Sequence, residues 1–277
     1  MDAGRLWVVS TPIGDLRDLS DRARQVLGTV GLVAAEDTRV TRKLFGALDL
    51  APPKLVSCHD HNEGHRASTI VDWLQRGEDV ALVSDAGTPL VSDPGYRVVQ
   101  AVLEAGLDVV PVPGPSAPIA ALSVSGLPTD RFLFAGFPPR QPGKRRAFFT
   151  ALEREPGTVL LFEAPHRILA TLEAASEVLG DRRCCLAISL TKEWERFHRG
   201  SLSSVHARLT ADPDEVIGEM TLAIDGASAE LEDPRGWAVV DALAAAGVSP
   251  SVIRDAVAEP LGLKRRMVYQ RALKGED

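Results

Sequence analysis

The stretch of residues 81–96, ALVSDAGTPLVSDPGY, runs from an apolar segment directly into two turns, each with an aspartate, a glycine and a proline. The apolar start is typical of a buried strand that ends where the turn residues begin. Gly87 and Pro89 permit a tight turn in which backbone can approach a ligand closely. Asp93 followed by Pro94 predicts the N-cap and the first residue of a helix.

The same alternation extends on both sides of this stretch. Short apolar runs (LWVVS, LVAAE, KLVSC, DVALVS, DVVPV) alternate with amphipathic segments of helical length. This pattern is typical of βαβ units around a mostly parallel sheet, so the predicted fold class is α/β. A second series of such runs begins after Phe132, and a purely helical tail follows a small, acidic linker after Asp225. We therefore predict α/β domains at 1–115 and 116–228 and a small helical module at 236–277.

Composition and charge are those of a globular protein. The 277 residues are 45% hydrophobic and 25% charged, with a net charge of -7. An acidic total disfavours general coating of nucleic acid, so an RNA partner would need local basic patches. Neither an apolar run of about 20 residues nor a signal peptide is visible, which predicts a cytoplasmic protein without a membrane partner.

The three cysteines indicate neither a disulfide framework nor a metal site. Cys58 stands alone, and Cys184 and Cys185 are adjacent in the chain. Vicinal thiols cannot easily bridge each other, and this spacing is not that of a zinc ligand set. We expect reduced, buried thiols and no bound metal.

Unusual loops follow all five N-terminal strands. They are rich in glycine, proline, hydroxyl groups or charge: TPIGDLRDLS, EDTRVTR, HDHNEGH, DAGTPLVSDPG and PGPSA. Ligands of open parallel sheets bind at the carboxyl ends of the strands, so these loops are predicted to form the site. Asp85 and the absence of lysine disfavour a phosphate ligand and favour one rich in hydroxyl groups or positive charge, such as a nucleoside with a cationic sulfur. The alternative is ordinary turn chemistry.

Seven segments together resemble a known family. In order and spacing, LVSDAGTPLVSDPGY, VSTPIGDLRDLSDRA, AAEDTRVTRKL, HDHNE, PVPGPSA, LTKEWE and GEMTLAIDG are similar to the ribosomal RNA small-subunit methyltransferase I family of the tetrapyrrole-methylase superfamily. The resemblance implies two α/β domains that hold S-adenosylmethionine in the cleft between them. It also implies methyl transfer to the ribose 2'-hydroxyl of a cytidine in the 16S rRNA of the small ribosomal subunit, and a homodimer.

The resemblance further implies a donor-binding set, drawn from the 85–91 loop, the loop after the fifth strand and the C-terminal domain. Its members are Asp85, Gly87, Thr88, Pro89, Val91, Ser116, Ala117, Phe162, Leu190, Met220 and Thr221. Thr88 occupies the place where other superfamily members keep an aspartate in Gly-Asp-Pro.

Methyl transfer from a sulfonium requires mainly alignment of the two substrates and exclusion of water. A base beside the ribose hydroxyl would contribute about 10²- to 10⁴-fold more. The candidate bases are His59, His61 and Glu63 in HDHNE and Asp37 in EDTR. The alternative for HDHNE is a polar, hydrogen-bonded loop. Glu193 and Glu195 in TKEWE are a second candidate pair, with a structural salt-bridge strand as the alternative.

Three basic clusters are candidate RNA contacts. They comprise Arg39 and Arg42, then Arg140, Lys144, Arg145 and Arg146, and finally Lys264, Arg265, Arg266 and Arg271 in the helical tail. The alternatives are exposed helix charges paired with Glu36 or Asp37, and a solvated charged loop.

Two other functions remain open at this point. The superfamily also permits a methyltransferase acting on a tetrapyrrole ring. A non-catalytic ribosome-assembly protein that binds RNA is the alternative from another functional class.

Overall fold

A computed structural model of the chain describes residues 3–227, 234–263 and 265–274. The first five strands form one parallel sheet in the order β3-β2-β4-β1-β5. The strands are β1 (Leu6–Val9), β2 (Leu32–Ala35), β3 (Lys54–Ser57), β4 (Val80–Val83) and β5 (Val109–Val112). The helices between them are α1 (Asp21–Thr29), α2 (Thr38–Ala47), α3 (Glu63–Gln75) and α4 (Tyr96–Glu104). The predicted α/β class is confirmed.

Both faces of this sheet are covered by helices. On one face Leu27 of α1 and Phe45 of α2 pack against alternate strand residues. On the other face Ile70 of α3 and Val102 of α4 pack against the remaining ones. Strands buried on both faces require continuous apolar runs, which is why β2 and β4 consist of LVAA and VALV.

The second sheet is mixed and has the order β6-β7-β10-β8-β9. Only the β6–β7 pair is parallel, and the other neighbours are antiparallel. Its strands are β6 (Phe132–Phe134), β7 (Thr158–Glu163), β8 (Arg183–Ile188), β9 (Arg196–Ser201) and β10 (Met220–Ile224). Its helices are α5 (Ala117–Ser125), α6 (Pro142–Leu152), α7 (Pro165–Leu179) and α8 (Leu202–Ala211).

Helices cover both faces of the second sheet as well. The larger core packs α6, α7 and α8 on one face, and Leu122 of α5 packs on the other. Cys184 and Cys185 point into these two opposite cores, as successive residues of a strand must. All three cysteines are free and buried, and burial raises the pKa of Cys58 to about 11 and that of Cys184 to about 12.

Three helices form the C-terminal module: α9 (Pro234–Ala245), α10 (Pro250–Val257) and α11 (Arg265–Lys274). They bury a core of their own around Val240, Ile253 and Val268. The predicted domain boundaries stay predictions, and the boundary at Ser228 lies outside the described residues.

One helix start was predicted wrongly. Helix α4 begins at Tyr96 with Gly95 as N-cap, so Asp93 and Pro94 belong to the preceding turn. Gly95 has a φ of 128°, and a Cβ there would lie 2.8 Å from Leu82. The chain therefore needs a glycine to enter this helix, and a capping aspartate would not suffice.

Two further properties concern the described ranges only. No helix in them is both long and apolar enough to cross a membrane. Nor do they contain a cluster of three or more histidine, cysteine, aspartate or glutamate side chains placed to hold a metal ion.

Candidate functional site

The loop after β4 connects the loops of the neighbouring strands. Gly87 exchanges two backbone hydrogen bonds with Thr11 after β1, at 2.8 and 3.0 Å. The Asp85 carboxylate accepts the backbone N–H of Asp37 after β2 at 3.0 Å. The Thr88 hydroxyl donates to the carbonyl of Pro115 after β5 at 3.0 Å. The loop enriched in turn residues is thus the centre of the carboxyl edge of the sheet.

This loop holds several residues in the left-handed region. Gly87 has a φ of 81°, and the non-glycine residues Leu90 and Ser92 have values of 72° and 66°. Such conformations cost of order 1 kcal/mol each and persist where the surrounding contacts fix them. A Cβ on Gly87 would lie 3.3 Å from Cγ2 of Ile13. The turn therefore packs directly on the TPIG loop.

An apolar cavity of about 390 Å³ lies between this edge and the second sheet. Its volume is in the range of small-molecule sites. The N-terminal loops and α5 contribute Ile13, Ala86 and Ala117, while Phe137, Phe162, Glu163, Ala164, Pro165, Leu190, Gly218, Glu219, Met220 and Thr221 complete the wall. The cavity is thus assembled from segments that are far apart in the sequence.

The predicted donor-binding residues divide into two groups around this cavity. Ala117, Phe162, Leu190, Met220 and Thr221 line it. Asp85, Gly87, Thr88, Pro89 and Val91 form the β4 loop behind Ala86, and Ser116 is the N-cap residue of α5, directly before Ala117. Five members of the predicted set thus line the cavity, and the other six lie within five residues of Ala86 or Ala117 in the chain.

A contact between the two sheets closes one side of the cleft. The backbone N–H of Asp15 donates to the Thr191 hydroxyl at 3.1 Å. Thr191 has a φ of 60°, which is rare for a β-branched residue. A Cβ on Gly14 would lie 2.7 Å from both Thr191 and Lys192, so the glycine of TPIG permits this approach.

Carboxylates give the loop edge a negative potential. Burial, followed by the neighbouring charge of Glu36, raises the pKa of Asp93 to about 6. Partial burial also raises the pKa of Glu36 and of Asp85, whose backbone N–H donates to Glu36 at 3.2 Å. Acids that repel each other beside a cavity favour a cationic ligand over a phosphate.

None of the predicted bases is among the described residues that line the cavity. Asp37 is the N-cap of α2 and pairs with Arg39 at 2.6 Å, and that hydrogen-bonded pair lowers its pKa to about 2. Glu63 is buried and accepts the Gly95 N–H at 2.8 Å. Both carboxylates are therefore engaged in contacts of local structure.

The histidine loop HDHNE lies at the edge of the sheet. It follows β3, which is two strands away from β4 or roughly 10 Å at the usual strand spacing. Asn62 fixes His59 through the His59 backbone N–H at 2.9 Å and through Nε2 at 3.1 Å, while His61 is exposed. This geometry is the polar, hydrogen-bonded loop that was the alternative interpretation.

In the acidic pair of TKEWE, Glu195 makes a structural contact. The Thr191 N–H donates to the Glu195 carboxylate at 2.7 Å, so Glu195 stabilises the turn that contacts the TPIG loop. Glu193 is exposed.

Several predicted RNA contacts are occupied by intramolecular partners. Arg39 pairs with Asp37, and Arg146 pairs with Glu177. Arg145 is only 8% exposed, which removes it from the candidate RNA contacts because a buried guanidinium cannot reach a phosphate. Arg42, Arg140 and Lys144 are exposed, and none of the three forms an ion pair within the described part of the chain.

In the helical module, too, some predicted RNA contacts have partners within the chain and another is exposed. Arg271 pairs with Asp241 at 2.7 Å and lies over the Trp237 ring, and Arg265 pairs with Asp255. Arg266 is exposed and lines a groove that also includes Tyr269. Lys264 lies outside the described residues.

The sequence analysis did not name eight residues of the cavity wall: Ile13, Ala86, Phe137, Glu163, Ala164, Pro165, Gly218 and Glu219. Ile13 lies in the TPIG motif, which was noted as a whole, and Phe137 lies in the first apolar run of the second series, FLFAGF, which was interpreted only as a strand. Glu163 is buried and Glu219 is exposed, and both line the wall. No sequence signal marks Glu163, whose importance arises from contacts with Thr171 at 2.6 Å and Arg167 at 3.3 Å.

Comparison with known proteins gives consistent results. Residues 5–206 match the model of the family described as Tetrapyrrole (Corrin/Porphyrin) Methylases. The chain is 46% identical to a "Ribosomal RNA small subunit methyltransferase I" of Micromonospora olivasterospora over 97% of this chain and 86% of the relative. It is 43% identical to the protein of the same name from Escherichia coli O157:H7 over 98% and 95% of the two chains.

Solved structures share the fold at low sequence identity. The uroporphyrin-III-C-methyltransferase from Thermus thermophilus superposes with a TM-score of 0.57 at 20% identity, over 80% of this chain and 94% of the other. A diphthine synthase gives a TM-score of 0.57 at 14% identity, over 80% and 90%. At these identities the likeness concerns the fold alone.

Proposed function

The chain belongs to the tetrapyrrole methylase family and is a methyltransferase of its ribosomal RNA small subunit methyltransferase I group; from this premise we propose a specific reaction for it. The reaction is S-adenosylmethionine-dependent methylation of a cytidine ribose 2'-hydroxyl in 16S rRNA of the small ribosomal subunit. The observation that carries the proposal is the apolar cavity between the two sheets, bordered by the carboxylate-rich β4 loop.

The residues of the cavity fit this donor. S-adenosylmethionine combines an adenosine with a cationic sulfonium that supplies an electrophilic methyl group. Phe162, Leu190 and Met220 would hold its apolar parts. The carboxylates at the loop edge favour a cation, which agrees with the absence of a lysine from the DAGTP turn.

The protein contributes mainly alignment and exclusion of water. The apolar walls keep water from the reacting atoms, and a fixed cleft holds two substrates in line. The candidate bases Asp37 and Glu63 are engaged elsewhere. We therefore propose that positioning provides most of the acceleration, with His59 and His61 as the remaining candidate bases for the hydroxyl proton.

Exposed cations without ion-pair partners among the described residues support an RNA substrate. The protein carries a net charge of -7, so phosphate contacts must come from local groups. Arg42, Arg140, Lys144 and Arg266 are exposed and are the proposed phosphate contacts. We place the reaction in the cytoplasm, where ribosomal subunits are found, and keep the homodimer as a prediction for sedimentation analysis.

Radiolabelled S-adenosylmethionine tests the proposal directly. We expect label in 16S rRNA when the protein is incubated with small subunits, at a linkage that resists alkaline hydrolysis because the 2'-oxygen is methylated. Label in a porphyrinoid and none in rRNA would replace the proposal with the tetrapyrrole alternative. Absence of label from both substrates, with intact RNA binding, would favour the non-catalytic alternative.

A pair of variants on α5 ties the activity to the cavity. Ala117→Trp fills the cavity and should abolish donor binding in calorimetry together with methylation. Ile119→Trp places the same ring on a site of the same helix that is already 48% exposed, and should leave both unchanged. Equal activity of the two variants would show that the donor binds elsewhere.

A further inference from the structure

Phe137 is an exposed aromatic residue at the donor cavity. It lines the cavity and yet remains 55% exposed. A large aromatic side chain is usually buried, because burial contributes about 2 kcal/mol or more. An exposed ring at the opening of a binding site is therefore suited to contact a second ligand.

The Phe137 ring packs against a second aromatic ring, which packs against a third. Phe134 contacts Phe162 edge to face, with ring centres 4.9 Å apart. Phe162 in turn contacts Phe137 at 5.4 Å with a tilt of 55°. These three rings run from the second sheet to the surface, and the last one keeps part of its surface accessible.

Backbone hydrogen bonds hold the segment that carries this ring. The Phe162 N–H donates to the Gly136 carbonyl at 2.9 Å, and Gly136 has a φ of 68° that suits a glycine. An Arg167 N–H donates to the Pro138 carbonyl, and buried Glu163 pairs with Arg167 at 3.3 Å. The ring is therefore presented in a fixed position and loses little freedom when a ligand packs on it.

The surroundings of the ring indicate which ligand it contacts. A Cβ on Gly136 would lie 3.7 Å from the Ser92 hydroxyl, so the segment reaches across the cleft to the β4 loop. Exposed Arg140 and Lys144 follow it in the chain. An accessible aromatic face between a donor cavity and cationic side chains matches a nucleotide, with its base on the ring and its phosphates on the cations.

We propose that Phe137 is a substrate-binding residue that stacks on a nucleobase of the RNA, either the methylated nucleotide or its immediate neighbour. The inference rests on the proposed function and specifies how the cleft would hold the acceptor. By stacking the base, Phe137 would fix the ribose beside the cavity without touching the methyl donor's sulfur.

Substitution of Phe137 tests the stacking. Loss of one base–aromatic contact corresponds to about 5- to 150-fold in affinity, from about 1–3 kcal/mol at 1.4 kcal/mol per tenfold. We expect Phe137→Leu, which keeps the apolar bulk but removes the aromatic face, to raise KM for small subunits by such a factor. The kcat at saturating RNA and the calorimetric Kd for S-adenosylmethionine should change less than twofold, and Phe137→Trp should restore KM.

Phe132→Leu is the matched control. Phe132 is 44% exposed on β6 and is not among the described cavity-lining residues, so its substitution should leave KM unchanged. Wild-type KM in Phe137→Leu would overturn the proposal. A parallel loss of donor affinity would show that the Phe137 ring serves the methyl donor and not the RNA, and would overturn it too. Failure of the proposed function looks different, because the wild-type protein would then leave rRNA unlabelled.

Discussion

Substitution of Gly87 by alanine tests whether the β4 loop shapes the donor cavity. Gly87 has a φ of 81° and its two hydrogen bonds to Thr11 hold it in that conformation. An added Cβ would lie 3.3 Å from Cγ2 of Ile13, which lines the cavity, and 3.8 Å from the Pro115 carbonyl. Alanine should therefore strain the backbone and also push Ile13 toward the cavity.

The magnitudes of these two effects can be separated. An alanine in the left-handed region costs about 1–2 kcal/mol, and the reduced entropy of the unfolded chain returns about 0.4–1 kcal/mol. The expected net loss in the free energy of unfolding is about 1 kcal/mol, which lowers Tm by roughly 4 °C in a domain of about 115 residues. Displacement of Ile13 by a few tenths of an ångström should weaken donor binding by about tenfold, or about 1.4 kcal/mol.

Gly106→Ala provides the control. Gly106 belongs to the same domain and has a φ of 71°, but no atom lies within 4 Å of its added Cβ. Thermal unfolding should show similar losses in both variants. Calorimetric titration with S-adenosylmethionine should show weaker binding only in Gly87→Ala.

Two results would refute this reasoning. Wild-type donor affinity in Gly87→Ala, with a lowered Tm, would show that the loop does not shape the donor site. Equal losses of affinity in Gly87→Ala and Gly106→Ala would attribute the effect to general destabilisation.

Three further predictions concern charged side chains. The raised pKa of Asp93, about 6 instead of 3.8, means that the folded state prefers the protonated form, so stability falls as pH rises from about 4 to 6. At pH 7 the free energy of unfolding of Asp93→Asn should therefore exceed that of the wild type by about 1 kcal/mol, once screening of this half-buried group is included. At pH 4 the two proteins should unfold at the same denaturant concentration. A difference that does not depend on pH would contradict this. Glu163→Ala leaves Arg167 without its carboxylate and should lower the free energy of unfolding, measured with denaturant, by about 3 kcal/mol. A loss below about 1 kcal/mol would be incompatible with a buried ion pair. Arg271→Met should lower Tm with little change in RNA affinity, whereas Arg266→Met should weaken RNA binding and reduce its salt slope by about 1; the reverse pattern would reassign the phosphate contact.

Much of the fold is encoded in local sequence. The short apolar runs coincide with β1 to β5, and those of β2 and β4 are uninterrupted because strands buried on both faces require apolar side chains throughout. The purely helical tail is likewise local, since Ser249 and Pro250 stand at the N-cap and first position of α10. Strand β9, RFHRGS, was not predicted, because it is polar and lies at the edge of its sheet, where one neighbour suffices.

The site was only partly determined by sequence. The five loops and the family resemblance identified the carboxyl edge and five of the residues that line the cavity, since turn residues and motif spacing are local properties. The tertiary structure alone decided the burial of Arg145 and the partner of Arg271, and it alone brought Phe137 and Glu163 to the cavity. The physical reason is that ion pairing and burial depend on distances across the fold, and residues more than a hundred positions apart contribute to one wall.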